Sequence, residues 1–515
     1  MKNKKKLHIK SVFSFLFSKV VIVALLILVQ GGVLLAAIIW LSEYFAAVYA
    51  VLLTLSIGIV VWLISKDENP SYKLAWVILL MSFPIFGGFF YLMFGNKTLP
   101  KLLTQRIERA EQDTRRGFTA PESYMDELQG VCPRFTTIPN FLRNTTGLPL
   151  WRGTQAEYFP LGEHMWKRML EELPKAKKFI FMEYFILEEG EMWDPILEIL
   201  TQKAAEGVDV RFMYDDIGSI QTISSRYPGR LRARGIKCVL FNPFRPHLNS
   251  MMNYRDHRKI TVIDGNVGFC GGINLADEYI NTYEKHGHWK DTGVMLKGDA
   301  VWNLTSMFLS LWNFSVPTDD DYMRFRPTLS CDSDGFVQPF GDSPLDRINV
   351  SEETYMQIIN RANRYVYITT PYLILDNEMV TALQSAARSG VDVRIITPHV
   401  PDKWFVHETT QSFYQPLLDA GVRIYEYTPG FVHAKMYVAD DEIAIVGTAN
   451  MDYRSFYLHF ECGVCFYNAR VIADVRDDIL QTLTVCQEIP KNYLRHVPVL
   501  RRIMRAFLRL FSPMM

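Results

Sequence analysis

Cysteine is scarce, with seven residues in a chain of 515. The seven are scattered, and only Cys462 and Cys465 lie close together. A single C-x2-C with no second pair at metal-ligand spacing gives no zinc site, and nothing suggests a disulfide framework. Net charge is also lacking: 55 basic residues face 55 acidic ones. That balance argues against nucleic acid as a partner. Acids are missing locally as well. Met1–Lys10 holds five lysines and no acid, and Lys491–Met515 holds no acid at all.

What the sequence does have is long apolar runs near its start. Val20–Trp40 is apolar except for Gln30, and Tyr44–Ser65 follows after Glu43. Each is about the ~20 residues a helix needs to cross a bilayer. Residues 1–96 are therefore expected to be a membrane leader with spans near 20–40 and 44–65. A third apolar stretch, 74–94, is broken by Pro84 and Gly87-Gly88. It is expected either to span or to re-enter. Six basic residues stand against three acids over 97–116. Positive charge on both sides of the leader favours two spans plus a re-entrant segment, with the rest of the chain on the cytoplasmic side.

After a connector at 97–150, the sequence repeats itself. Lys178-Phe-Ile-Phe-Met-Glu183-Tyr-Phe-Ile matches Arg364-Tyr-Val-Tyr-Ile-Thr-Thr-Pro371-Tyr372-Leu as a buried strand. A helix is expected after each, near 195–206 and 379–389. Gly207-Val-Asp-Val-Arg211 then recurs letter for letter as Gly390-Val-Asp-Val-Arg394. Strand–helix–strand order repeated twice predicts an α/β fold of two similar sandwich halves with mostly parallel sheets. The expected halves are 151–316 and 345–490, joined by a linker at 317–344.

The strongest repeat is a spacing. His257 is followed by Lys259, Asp264, Gly271 and Asn274, and His433 by Lys435, Asp440, Gly447 and Asn450, at identical offsets. His and Lys two apart on a strand share a face. Asp264-Gly265 and Asp440-Asp441 suit hairpin turns. Gly271-Gly272 and Gly447-Thr448 leave room for a ligand to approach the backbone. Two imidazoles, two ammonium groups and two amides around one phosphate can bind a phosphodiester, attack it and protonate its leaving group without a metal. Asp264 and Asp440 belong to this catalytic pattern, but their turn positions favour holding backbone N–H groups.

This paired pattern resembles the phospholipase D superfamily. The run from Phe241-Asn-Pro-Phe through His257-Arg-Lys-Ile to Asn274-Leu-Ala-Asp-Glu-Tyr279 is similar to the bacterial cardiolipin synthase family within it. Asp256 departs from the Asn expected there and neighbours His257. The resemblance implies a multi-pass protein of the bacterial cell membrane whose partners are phosphatidylglycerol and anionic lipids. It implies phosphatidyl transfer between two phosphatidylglycerols through a phosphohistidine, with no cofactor and no metal. His257 is its nucleophile by analogy and His433 its acid/base; the symmetric sequence does not choose between them. Asn274, Asn450 and Glu183 are implied on the substrate side, and Asp291 and Glu461 as carboxylates that orient the histidines. A phospholipase D, another phosphatidyltransferase and a nuclease with the same catalytic pair are the alternatives.

Lys491–Met515 completes the reading. Arg501, Arg505 and Arg509 recur every four residues, with Leu500, Ile503, Phe507 and Phe511 on the other side. The pattern predicts a basic amphipathic helix, either on an anionic bilayer surface or docked on the protein.

Overall fold

The computed structural model describes residues 45–82 except 67, 120–244, and 253–514 except 317, 319, 334, 346 and 347, with isolated positions before residue 120. Contacts divide it into two units. One comprises 1–98 with 244–252, the other 99–243 with 253–515.

In the first unit, the expected run 44–65 forms helix α1 (Phe45–Ser65), followed by α2 (Pro70–Ser82). The expected span at 20–40 lies almost wholly outside the described residues, as do Pro84 and Gly87-Gly88. The described side chains of α1 run without a gap only from Ala50. Among the described residues no helix is long and apolar enough to cross a membrane.

The second unit carries both repeats. Its first half supplies β1 (Thr154–Phe159), β2 (Phe179–Tyr184), β3 (Asp209–Asp215), β4 (Lys237–Phe241), β5 (Arg255–Asp256), β6 (Ile260–Ile263), β7 (Val267–Gly271), β8 (His288–Lys290) and β9 (Gly293–Gly298). Its second half supplies β10 (Phe336–Asp342), β11 (Tyr365–Thr369), β12 (Asp392–Pro398), β13 (Arg423–Tyr427), β14 (Gly430–Val432), β15 (Met436–Ala439), β16 (Ile443–Gly447), β17 (His459–Tyr467) and β18 (Cys486–Glu488). One sheet runs β1-β9-β7-β6-β2-β3-β4, and the other repeats that order as β10-β17-β16-β15-β11-β12-β13 before adding β18. The second sheet thus begins inside the stretch read as a linker, because β10 pairs along its whole length with β17.

The sheets are mixed, not mostly parallel. Within the two strand paths only β2-β3-β4 and β11-β12-β13 run parallel, with β2 joined to β3 through α3 (Trp193–Ala205) and β11 to β12 through α5 (Asn377–Arg388). Between them in the chain lies α4 (Val301–Ser315). The remaining pairs within each path are antiparallel, and two of them, β6–β7 and β15–β16, are joined by tight hairpins. Both hairpins use two residues in left-handed conformation: Asp264 and Gly265 at φ 54° and 70°, Asp440 and Asp441 at φ 56° and 63°. That is the type I′ geometry that matches strand twist.

The turn aspartates do more than turn. Asp264 accepts from the amides of Lys177, Lys178 and Phe179 at 2.7–2.9 Å. Asp440 accepts from those of Asn363, Arg364 and Tyr365 at 2.7–2.9 Å, and from the Arg134 guanidinium. Each carboxylate ties its hairpin to the start of the neighbouring parallel strand. Asp440→Ala strands these donors and is expected to cost about 3 kcal/mol, read as a lowered denaturation midpoint.

Three cores result. One lies between the sheets and joins Val262, Cys270 and Val294 to Val446, Cys462 and Val464. The other two pack helices on the outer faces, around Ile180 and Phe212 in one half and Ile368 and Ile395 in the other. Cys462 belongs to the central core and Cys465 to an outer one, since an odd spacing on β17 sends them to opposite faces.

Three further helices belong to the second unit, α6 (Trp404–Ser412), α7 (Val471–Leu483) and α8 (Val499–Leu510), with α6 packing against α8. The arginine side of α8 faces the protein. Arg501 and Arg505 both reach Glu408, Arg505 also reaches Gln411, and Arg509 donates to the Ser412 carbonyl.

Candidate active site

Each motif sits at a seam between the halves. Strand β14, just before His433, pairs in parallel with β8, just before Asp291. Strand β5, just before His257, pairs in parallel with the start of β17, which carries Glu461. The two strand pairings cross the halves and deliver each histidine to a carboxylate from the other repeat. His257 Nδ1 lies 3.0 Å from both Glu461 oxygens, and His433 Nδ1 lies 2.6 Å from Asp291 Oδ2. Thr448 donates to Glu461 Oε2 at 2.5 Å and braces that carboxylate. At the equivalent position, Gly272 leaves the space that Asp291 fills; a Cβ there stands 2.1 Å from Asp291 Oδ1. The small residue expected to admit ligand therefore admits this side chain.

Both lysines are buried and fixed alike. Lys259 Nζ donates to the His257 carbonyl and Lys435 Nζ to the His433 carbonyl, each at 2.5 Å. Each ammonium keeps donors for a ligand. Burial pushes Lys259 down to about 8 and Lys435 down to about 7. The charge of Lys259 also lowers His433 and Lys435 in the opposite half, so both motifs share one electrostatic site.

Burial holds His257 well below the usual imidazole value and His433 at about 4. Glu461 and Asp291 stay below the usual carboxylate range: burial pushes them up, but the facing histidines and Lys435 outweigh it. The empty site thus holds ionised carboxylates and neutral rings. Each Nδ1–H donates to its carboxylate, which leaves Nε2 with a free lone pair. An arriving phosphate anion raises both the imidazoles and the lysines. As pH rises through 7–8 the free enzyme's lysines lose charge, so kcat/KM is expected to fall there while kcat holds to higher pH. Steady-state rates from pH 5 to 10 check this.

The remaining expected residues are bonded to protein partners. Glu183, read as substrate-side, is fully buried and accepts from Arg258 Nε at 2.6 Å. Asp256 lies in the same cluster, and burial together with the Glu183 charge keeps it well above the carboxylate range. Asp256 is not among the groups that shift His257, which are burial, Glu461, Lys259 and His459. The Asn274 amide donates to the Tyr279 hydroxyl at 2.7 Å and accepts from the Ile186 amide at 3.0 Å. Asn450 donates to Asp452 at 3.1 Å. Asp264 and Asp440 are committed to backbone amides, as described above, which sets them apart from the catalytic groups.

Sequence reasoning missed three neighbours. The Tyr279 ring lies edge-on to His433 at 5.6 Å, and the Phe185 ring edge-on to His257 at 5.0 Å. His459 is 6% exposed, its ring centroid 5.3 Å from that of His257 and its Nδ1 3.6 Å from Glu461. It lies two residues before Glu461 on one strand, which was the only available signal. His257, His459 and Glu461 bring donor atoms within 4.8 Å of one another, a set of the type that binds zinc-class ions.

Two buried histidines, each backed by a carboxylate from the opposite repeat and flanked by a lysine, stand in a two-halved fold of the phospholipase D type. The description "Cardiolipin synthase, PLD-like domain" matches residues 169–312 and 355–483, and "Phospholipase_D-nuclease N-terminal" matches 54–96. The chain belongs to the cardiolipin synthase family of phospholipase-D-like proteins. A cardiolipin synthase of Geobacillus thermodenitrificans is 33% identical, with 96% of this chain and 99% of that one covered. Cardiolipin synthase 2 of Bacillus cereus is 35% identical over 89% of each. An uncharacterized Streptococcus mutans protein is 42% identical, over 89% of this chain and all of its own. Phosphatidylserine synthase of Haemophilus influenzae shares the fold, with TM-score 0.55 at 14% identity, over 73% of this chain and 98% of that one.

Proposed function

We propose that this chain is a cardiolipin synthase, a membrane-associated phosphatidyltransferase that joins two phosphatidylglycerols and releases glycerol. The observation that carries the chemistry is the crossed pairing of each histidine with the other half's carboxylate. His257 Nε2 attacks the phosphorus of one phosphatidylglycerol. The P–O bond to the terminal glycerol breaks, and that oxygen takes a proton from His433, which is charged in the presence of the anionic phosphate. The product of this step is a phosphatidyl-His257. His433, now neutral, takes the proton of a terminal hydroxyl on a second phosphatidylglycerol. That oxygen attacks phosphorus, the P–N bond breaks, and cardiolipin leaves with His257 neutral again.

Splitting one displacement into two is what requires two imidazoles. Lys259 and Lys435 neutralise the phosphate oxygens in both transition states. The Asn274 and Asn450 amides are assigned to the phosphate by the family pattern, a role in which each exchanges its bond to Tyr279 or Asp452 for one to the ligand. Water competes with the lipid hydroxyl in the second step; the burial of every catalytic group in this site supports its exclusion.

The leader is proposed to anchor the enzyme through α1 and the preceding apolar run, with the catalytic unit on the cytoplasmic side. Support comes from the apolar sequence, the lysine-rich start and the exposed apolar side chains of α1 such as Val51, Leu55 and Val61.

The test is purified protein given phosphatidylglycerol alone. Cardiolipin plus glycerol is the expected product; phosphatidic acid plus glycerol makes the enzyme a lipase instead. The histidine–lysine chemistry is self-sufficient, so a chelator is expected to leave turnover unchanged. Loss of activity in EDTA, restored by a divalent cation, contradicts this mechanism.

A further inference from the structure

An amphipathic helix on a water-soluble protein turns its apolar stripe inward and its charges outward. Helix α8 does the reverse. Arg505 is 3% exposed and held by Glu408 and Gln411, while Leu500, Ile503 and Phe507 are 79%, 62% and 63% exposed. Its docking partner α6 adds Trp404, also 62% exposed, at its first position. The arginines are used to fix the helix to the protein. The apolar stripe is therefore presented on a rigid support and is left without a protein partner among the described residues.

We infer that this α6–α8 surface is seated in the interface of an anionic bilayer and turns the His433 side of the active site toward the lipid. This rests on the proposed function. Three observations favour lipid over protein as the occupant. The stripe lies in a segment with no acid from Lys491 to Met515, and Lys403, Lys491 and Arg495 are exposed beside it, as anionic headgroups require. An exposed tryptophan at the rim suits the headgroup level. The topology is the third. Parallel strands β11, β12 and β13 end at one edge of the sheet, where Thr369 pairs with Met436, just after the His433 motif. The loop from β12 into α6 leaves from that edge. In it Asp402 accepts the Tyr372 hydroxyl at 2.5 Å, the Tyr372 ring meets Phe431 at 6.3 Å, and Phe431 meets His433 at 6.0 Å. A continuous row of side chains thus joins the exposed surface to the catalytic imidazole.

The experiment uses the full chain in vesicles containing phosphatidylglycerol. A fluorophore on Leu500→Cys is read against doxyl-labelled lipids, with the unsubstituted chain as background for the native thiols. Quenching by shallow acyl-chain doxyl groups is expected, weaker in zwitterionic vesicles; absence of quenching overturns the inference. In parallel, Ile503→Glu with Phe507→Glu is expected to lower turnover of vesicle phosphatidylglycerol about tenfold and leave turnover of a detergent-dispersed short-chain analogue unchanged. Equal rates in vesicles overturn it, as does an unquenched label whose emission shifts with protein concentration, the mark of a second copy on this face. If the unsubstituted enzyme makes no cardiolipin from either substrate while the label is quenched, the lipid-facing surface stands and the proposed reaction falls.

Discussion

His257→Ala and His433→Ala are each expected to lower cardiolipin formation by about 10⁴-fold or more, with the protein still folded. Neither ring is needed to hold the fold: each Nδ1 bonds a carboxylate that keeps other donors, Thr448 for Glu461 and the Thr292 amide for Asp291. The two losses differ in kind. Without His257 no covalent intermediate forms and phosphatidylglycerol is left intact. Without His433 the attack lacks its acid, so a substrate with a good leaving group, such as a nitrophenyl phosphodiester, is expected to regain single-turnover attack in His433→Ala and none in His257→Ala. Product analysis in steady state and a stopped-flow burst separate the cases.

The second large effect is on the crossed carboxylates. Glu461→Gln and Asp291→Asn are expected to lower kcat by about a hundredfold to ten-thousandfold with a smaller change in KM. An amide in place of either carboxylate can donate to Nδ1 and so hold the wrong tautomer. It also removes the charge that stabilises an imidazolium in a fully buried place. Because each carboxylate belongs to the opposite half, Glu461→Gln is expected to resemble His257→Ala and Asp291→Asn to resemble His433→Ala. Loss patterns that instead follow the repeats in sequence, Asp291 with His257, contradict the crossed arrangement.

How much of this is visible in the sequence depends on how local the information is. The hairpins were legible because Asp-Gly and Asp-Asp adopt left-handed backbone cheaply. The expected strands and helices at 178–186, 195–206, 364–373 and 379–389 fall on β2, α3, β11 and α5 to within a few residues. The His–Lys spacing marks both clusters for the same reason. Partner choice was not legible. Nothing in residues 288–290 or 430–432 says that they pair with each other across the repeats, yet that pairing decides which carboxylate meets which histidine. Glu183 looks like a strand-end acid until Arg258 arrives from another strand to cover it. The C-terminal helix was read from its own periodicity, which gives two faces but not which of them turns inward. Glu408, ninety residues earlier in the chain, made that choice. The mixed character of the sheets follows from the same limit, since strand direction is set by where hairpins and crossovers return the chain.

The most direct test is to look for the covalent adduct. His433→Ala enzyme mixed with phosphatidylglycerol bearing a good leaving group, quenched under conditions that preserve phosphoramidates and examined by peptide mass spectrometry, is expected to carry a phosphatidyl group on His257. An adduct on another residue, or turnover of that substrate with no adduct on any histidine, contradicts the two-step transfer described here.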